Sequence, residues 1–127
     1  MSSADFSRAR RRRIIARNPT TITIHRVDNP VEGSHRSEVE STVGPFTVRI
    51  YWLGTATASE VNSDPGSRIE DRQPSLIADE TADLRAGAYV TDEFDVAGVG
   101  HFRIRSVHPA TVGGEVVGFA AALEMVN

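Results

Sequence analysis

Side chains alternate with a period of two over most of this chain, and that pattern admits β-strands and little else. In residues 46–53, Phe46, Val48, Ile50 and Trp52 fall on one face and Thr47, Arg49, Tyr51 and Leu53 on the other. Residues 101–107 repeat the pattern with Phe102, Ile104 and Ser106. Residues 115–126 do so with Val117, Phe119, Ala121, Leu123 and Met125. The segment 20–27 (TTITIHRV) is β-branched and alternating, and 75–78 and 88–94 read as shorter strands. Gly98-Val99-Gly100 marks a bend, and residues 109–114 form a hairpin loop ending in Gly113-Gly114. A mainly β fold follows: a small antiparallel β-barrel or sandwich of five or six strands with one N-terminal helix. Trp52, beside Ile50 on the core face, is expected to be shielded from solvent.

Two polar stretches interrupt the pattern. Residues 28–44, with Pro30, Gly33 and three serines, read as one loop. Residues 54–74, with Ser63-Asp64-Pro65-Gly66 as a turn, read as a second. Connections this long in a small domain are usually functional or disordered. At 13.8 kDa the chain suffices for one domain, residues 20–127, preceded by an arm, residues 1–19. A composition of 39% hydrophobic and 6% aromatic residues gives a modest core that oligomerisation would supplement. There is no cysteine, which excludes disulfides and thiolate chemistry. No apolar run approaches the roughly 18 residues of a membrane span. The basic leader also lacks the apolar core of a signal peptide, so synthesis in the cytoplasm is expected.

Charge is segregated along the chain. The first 19 residues hold Arg8, Arg10, Arg11, Arg12, Arg13 and Arg17 against one acid, Asp5, a net +5. The remaining eight arginines and sixteen acids make −8, in a chain whose total is −3. All fourteen basic residues are arginine, which favours bidentate, partly desolvated contacts. Ser3 can cap a helix with Asp5 in its first turn, and Asn18-Pro19 stops it. Because Arg10 to Arg13 point nearly all the way round the axis, no broad apolar face exists. A solvated, partly frayed terminal helix is the expectation for the isolated protein. The cationic arm is then free for nucleic acid phosphate, an acidic protein surface, or the acidic body of a neighbouring copy.

Catalytic patterns are missing. His25, His35, His101 and His108 stand in no zinc-binding spacing, and strand-end or surface histidines are expected. No glycine-rich loop joins a strand to a helix, and no serine lies in a nucleophile elbow. Asp79, Glu80 and Asp83 lack the spacing of a calcium loop and read as a solvated acidic turn. No enzyme, metal or cofactor is indicated.

One stretch carries a resemblance. The run Ala78-Asp79-Glu80-Thr81-Ala82-Asp83-Leu84-Arg85-Ala86-Gly87 is followed by Tyr89-Val90-Thr91-Asp92. Then come Phe102-Arg103-Ile104-Arg105-Ser106-Val107-His108-Pro109, a Gly-Gly hairpin and a terminal Ala-Ala-Leu-Glu strand. This order resembles the small head-closure proteins of long-tailed bacteriophages, also called head-to-tail stoppers or connectors. In that family a D-x-R-x-G-D turn precedes a strand, and an F/Y-x-V-x-x-V-x-P strand leads to the last hairpin. Here Asp83-Leu84-Arg85-Ala86-Gly87 matches the turn, but Ala88 stands where the acid is common. The resemblance spans residues 78–126 and leaves the arginine leader and both long loops outside it.

The resemblance implies a β-barrel subunit of a homo-oligomeric ring in the virion neck, made in the bacterial host cytoplasm. Portal and adaptor proteins would lie on its head side and a tail terminator or tail tube on the other. Packaged DNA would pass through the channel. A loop of such a subunit can reach the channel, and Glu60, Asp64, Arg68, Glu70, Asp71 and Arg72 are the candidates. Two alternatives stay open: a nucleic-acid-binding β-barrel module using the arginine arm, and a tail terminator or minor tail protein.

Overall fold

The computed structural model describes residues 2–29, 31–32, 35–36, 38–53 and 73–126. Helix α1 (Ser3–Ala16) is followed by strands β1 (Thr20–Asp28), β2 (Val31–Glu32), β3 (His35–Arg36), β4 (Val39–Leu53), β5 (Gln73–Asp79), β6 (Val90–Val96), β7 (Gly100–Val112) and β8 (Glu115–Val126). Six of these close an antiparallel barrel in the order β1-β4-β5-β8-β7-β6, with β6 pairing back to β1. β2 and β3 form a separate two-stranded ladder.

The alternation predicted from sequence builds the interior. Ile22 and Ile24 from β1, Val48 from β4, Leu76 and Ala78 from β5, Phe94 from β6, Phe102 and Ile104 from β7, and Ala121 and Leu123 from β8 are all buried. Phe94 and Phe102 stack with ring centroids 5.5 Å apart. Each fully buried large side chain contributes about 1.5–3 kcal/mol. A barrel of six strands is narrow enough for its own side chains to fill it.

The two rims differ. One rim gathers the ends of β4 and β8 and the turn between β6 and β7. The other gathers the β1–β4 connection, the end of β5 and the β7–β8 turn. At the second rim the segment joining β5 to β6 folds over the barrel and buries Ala82 and Leu84 in the core. The Asp83-Leu84-Arg85 motif is therefore the stopper of the barrel itself, with its one large apolar side chain pointing in.

Several expectations need correction. Residues 28–44 are not a simple loop: β1 stays paired with β4 down to Asp28 opposite Val39, and β2 and β3 pair beyond them. This ladder was hidden because residues 38–42 are exposed, so no apolar alternation marks it. Gly44 (φ 112°) and Pro45 stand at a bulge, where β4 spends three steps, from Val43 to Phe46, against two on β1. Residues 109–112 are not loop either. β7 runs to Val112, and the turn is only Gly113-Gly114, both at positive φ (60° and 81°), as a two-residue hairpin turn requires. β7 has no β6 partner beyond Arg103, and such an edge tolerates Pro109.

Trp52 is not shielded. It shares the face of Val48 and Ile50, but β4 has reached the rim by then, and 42% of the residue is exposed. Its ring still leans on Phe102, with centroids 6.2 Å apart. The helix cap is Ser2 rather than Ser3, with Ser2 Oγ accepting from Asp5 N at 3.1 Å. α1 is also not a frayed appendage: it lies across β8, β5 and β4, with Ala4 and Ile15 buried. Among the described residues no helix is long and apolar enough to cross a membrane.

Candidate functional site

The six arginines of α1 divide into two sets. Ala4, Arg8, Arg11 and Ile15 recur at helical spacing and form the stripe that meets the wall. Arg8 donates from Nε and Nη2 to Val116 O at 3.2 and 2.9 Å, and from Nη1 to Asp5 Oδ1 at 3.2 Å. Arg11 donates to Phe119 O at 3.3 Å. Its stem lies over Gly118, where any Cβ would overlap the Arg11 side chain and come within 2.5 Å of Ala78 O. Arg12, at the flank of this stripe, pairs with Glu80 and sits 3.9 Å from Asp79 Oδ2. The barrel answers: Arg49 donates to Ile14 O at 3.3 Å, a second donor to the carbonyl that already accepts from Arg17 N at the helix end. Hydrogen bonds from Ser2, with the nearby Arg8 charge, hold the Asp5 carboxyl below the ordinary carboxylate range.

The second set faces away. Phe6, Arg10, Arg13 and Arg17 follow one another at four, three and four residues along the outer side of α1. Phe6 is 58% exposed, and these four residues with Ile14 line a shallow groove of about 420 Å³. Among the described residues, Arg10, Arg13 and Arg17 take part in no ion pair or side-chain hydrogen bond. The docked helix thus presents a fixed row of three guanidinium groups about 10 Å long with an aromatic at one end.

Two clusters were missed by sequence reasoning. Arg26 is 5% exposed and faces inward on β1, directly opposite Asp92 on β6, which is fully buried. Arg26 Nε and Nη2 donate to the two Asp92 carboxylate oxygens at 2.8 and 2.9 Å, a bidentate pair. Arg26 also donates to Asp83 Oδ2 and to Asp83 O, both at 3.0 Å, while Arg85 N donates to Asp92 Oδ2 at 2.7 Å. The Asp92 bond, joined by Asp83, raises the Arg26 pKa, and the Arg26 bond lowers that of Asp83. This network pins the barrel-end segment to the wall. Asp79, Glu80 and Asp83 are consequently not a solvated acidic turn: each faces an arginine.

His101 is the second. It bridges Asp95 Oδ1 at 2.5 Å through Nδ1 and Glu93 Oε1 at 2.6 Å through Nε2, on the outer face of the β6–β7 hairpin. The bond to Asp95, then that to Glu93, raises the imidazole pKa above its ordinary value of 6.5. The signal was present in sequence: a hairpin turn at residues 97–99 puts Asp95 opposite His101.

Among the described residues no group of three histidine or acidic side chains is placed to hold a metal ion. The candidates Glu60, Asp64, Arg68, Glu70, Asp71 and Arg72 lie outside the described residues. A scan against family models, a search of curated proteins and a search of solved structures each return no match to this chain.

Proposed function

We propose that this chain is a structural subunit of a tailed-phage virion, a head-to-tail connector that assembles as a ring, closes the DNA exit and offers a surface to the tail. The observation that carries the reading is the placement of the motif residues. The Asp83–Gly87 turn, the 89–92 strand, the 102–109 strand and the Gly-Gly hairpin occupy successive parts of one closed barrel. That is the fold the resemblance calls for. The docked α1 adds a rigid cationic face to an otherwise acidic body, which suits assembly with neighbours better than catalysis.

Deleting the gene from the phage that carries it tests the reading by negative-stain microscopy of the lysate. Separate, complete tails beside heads emptied of DNA are expected. Filled heads with tails of irregular length would instead assign the chain as a tail terminator. Intact infectious particles would end the virion reading.

A nucleic-acid-binding module is the second reading, favoured by the outward row Arg10, Arg13 and Arg17. Three phosphate contacts would give a slope of about −2.7 for log affinity against log salt. With half of the leader arginines folded onto the barrel and a body at −8, we expect duplex binding weaker than that of an ordinary non-specific binder. A filter-binding salt series on the full chain checks it.

A further inference from the structure

The described residues satisfy most of their charges internally. Asp79 and Glu80 take Arg12, Asp83 and Asp92 take Arg26, Glu93 and Asp95 take His101, and Glu124 takes Arg103 at 3.5 Å. Arg11 and Arg49 spend theirs on backbone carbonyls, and among the described side chains the cations with no hydrogen-bonded partner include the row on α1 and Arg105 near the opposite rim. Among the described side chains the acids with no arginine beside them include Glu115 at the β7–β8 turn and a cluster at the β1–β4 end.

The same end of the barrel also carries exposed apolar side chains. Asp28 is paired in register with Val39 on one side and Val90 on the other. Glu38 and Glu40 flank Val39, and Tyr89 is tied to the hairpin base by its carbonyl, which accepts from Asn29 N at 2.7 Å. Val39 and Tyr89 are each 53% exposed. Among the described residues, Glu40 has His25 4.0 Å away. The two surfaces match in charge: Phe6 with three arginines on one, and Glu38 and Glu40, on the outer side of β4, on the other.

We infer that the outer face of α1 docks on the acidic β1–β4 end of a second copy of this chain. The inference rests on the ring reading above and names the faces that form the ring. Phe6 favours a protein occupant over DNA: phosphate binding needs only cations, whereas aromatic side chains and arginine together are what protein interfaces enrich. Because the two faces differ, the contact is head-to-tail, and repeated head-to-tail contacts close into a ring or run on as a filament.

Charge reversal with rescue tests it, read by sedimentation velocity over a concentration series. Both patches are exposed, so circular dichroism should show every variant folded. The native chain should self-associate, less so at high salt. Arg10→Glu with Arg13→Glu, and separately Glu38→Arg with Glu40→Arg, should each weaken association about ten-fold or more. The quadruple variant should recover it. As the chain lacks cysteine, Phe6→Cys with Thr42→Cys, on the face of Glu40, should give an oxidised ladder, with neither single variant doing so. Native oligomers indifferent to both reversals would overturn the docking and leave the ring reading standing. A native chain that stays monomeric at every concentration would overturn both. Loss of duplex binding in the arginine variant with no change in assembly would assign the face to nucleic acid.

Discussion

Arg26 sits two residues beyond Ile24 on the inward face of β1, a charge in a barrel filled by hydrocarbon. Its place in the alternation of β1 after Ile22 and Ile24 was a signal the sequence reading passed over. What the sequence could not show is its partner, because Asp92 is 66 residues away and becomes opposite only when β6 closes on β1. Asp92→Ala leaves a buried guanidinium without its bidentate acceptor and should cost about 3–5 kcal/mol, measured by urea unfolding. Arg26→Lys should recover little, since an ammonium cannot reproduce the fork. His101 carries a pH dependence of definite sign. Its folded pKa is raised, so the stability it adds is complete below about pH 6.5, while its carboxylate partners remain ionised, and is lost as pH rises through the elevated value. The urea midpoint should therefore fall across that window, and His101→Gln should flatten the fall. Trp52, at the rim, should be partly open to acrylamide quenching, less than free indole and more than a core tryptophan.

At the scale of the element, α1 explains why part of the site was illegible. Two of the four positions on its docking stripe are arginines, so a search for apolar periodicity finds nothing to bury. The stems of Arg8 and Arg11 supply the contact that leucines would elsewhere, with their heads on backbone carbonyls. Gly118 makes the seat. Gly118→Ala should lift Arg11 and strain β8 against β5, because Ala78 O is backbone and cannot swing aside. A loss of about 1–3 kcal/mol is expected, with faster amide exchange concentrated in residues 3–16, read by hydrogen-exchange mass spectrometry. The strands were legible wherever one face was buried, as in Phe46 to Ile50 or Phe102 and Ile104. They were not where β4 starts, at residues 39–42, since backbone pairing between exposed polar residues leaves no hydrophobic trace.

Across the whole molecule, charge is sorted twice. Along the chain it is basic then acidic, which is plain from sequence. In space the described side chains are sorted again into pairs that cancel and groups that do not. Only the fold shows the second sorting, because it depends on which arginines lean on carbonyls. The closed barrel carries a further consequence for how the protein is made. β8 fills the gap between β5 and β7 and is the strand that α1 leans on most, yet it follows every other strand of the barrel in chain order. Until it is in place the first helix lacks the largest part of its seat, and two strands keep raw edges able to recruit a neighbouring nascent chain. Adjacent polysomes would be hazardous for this protein, and a chain truncated ahead of Glu115 should yield inclusion bodies rather than a smaller barrel.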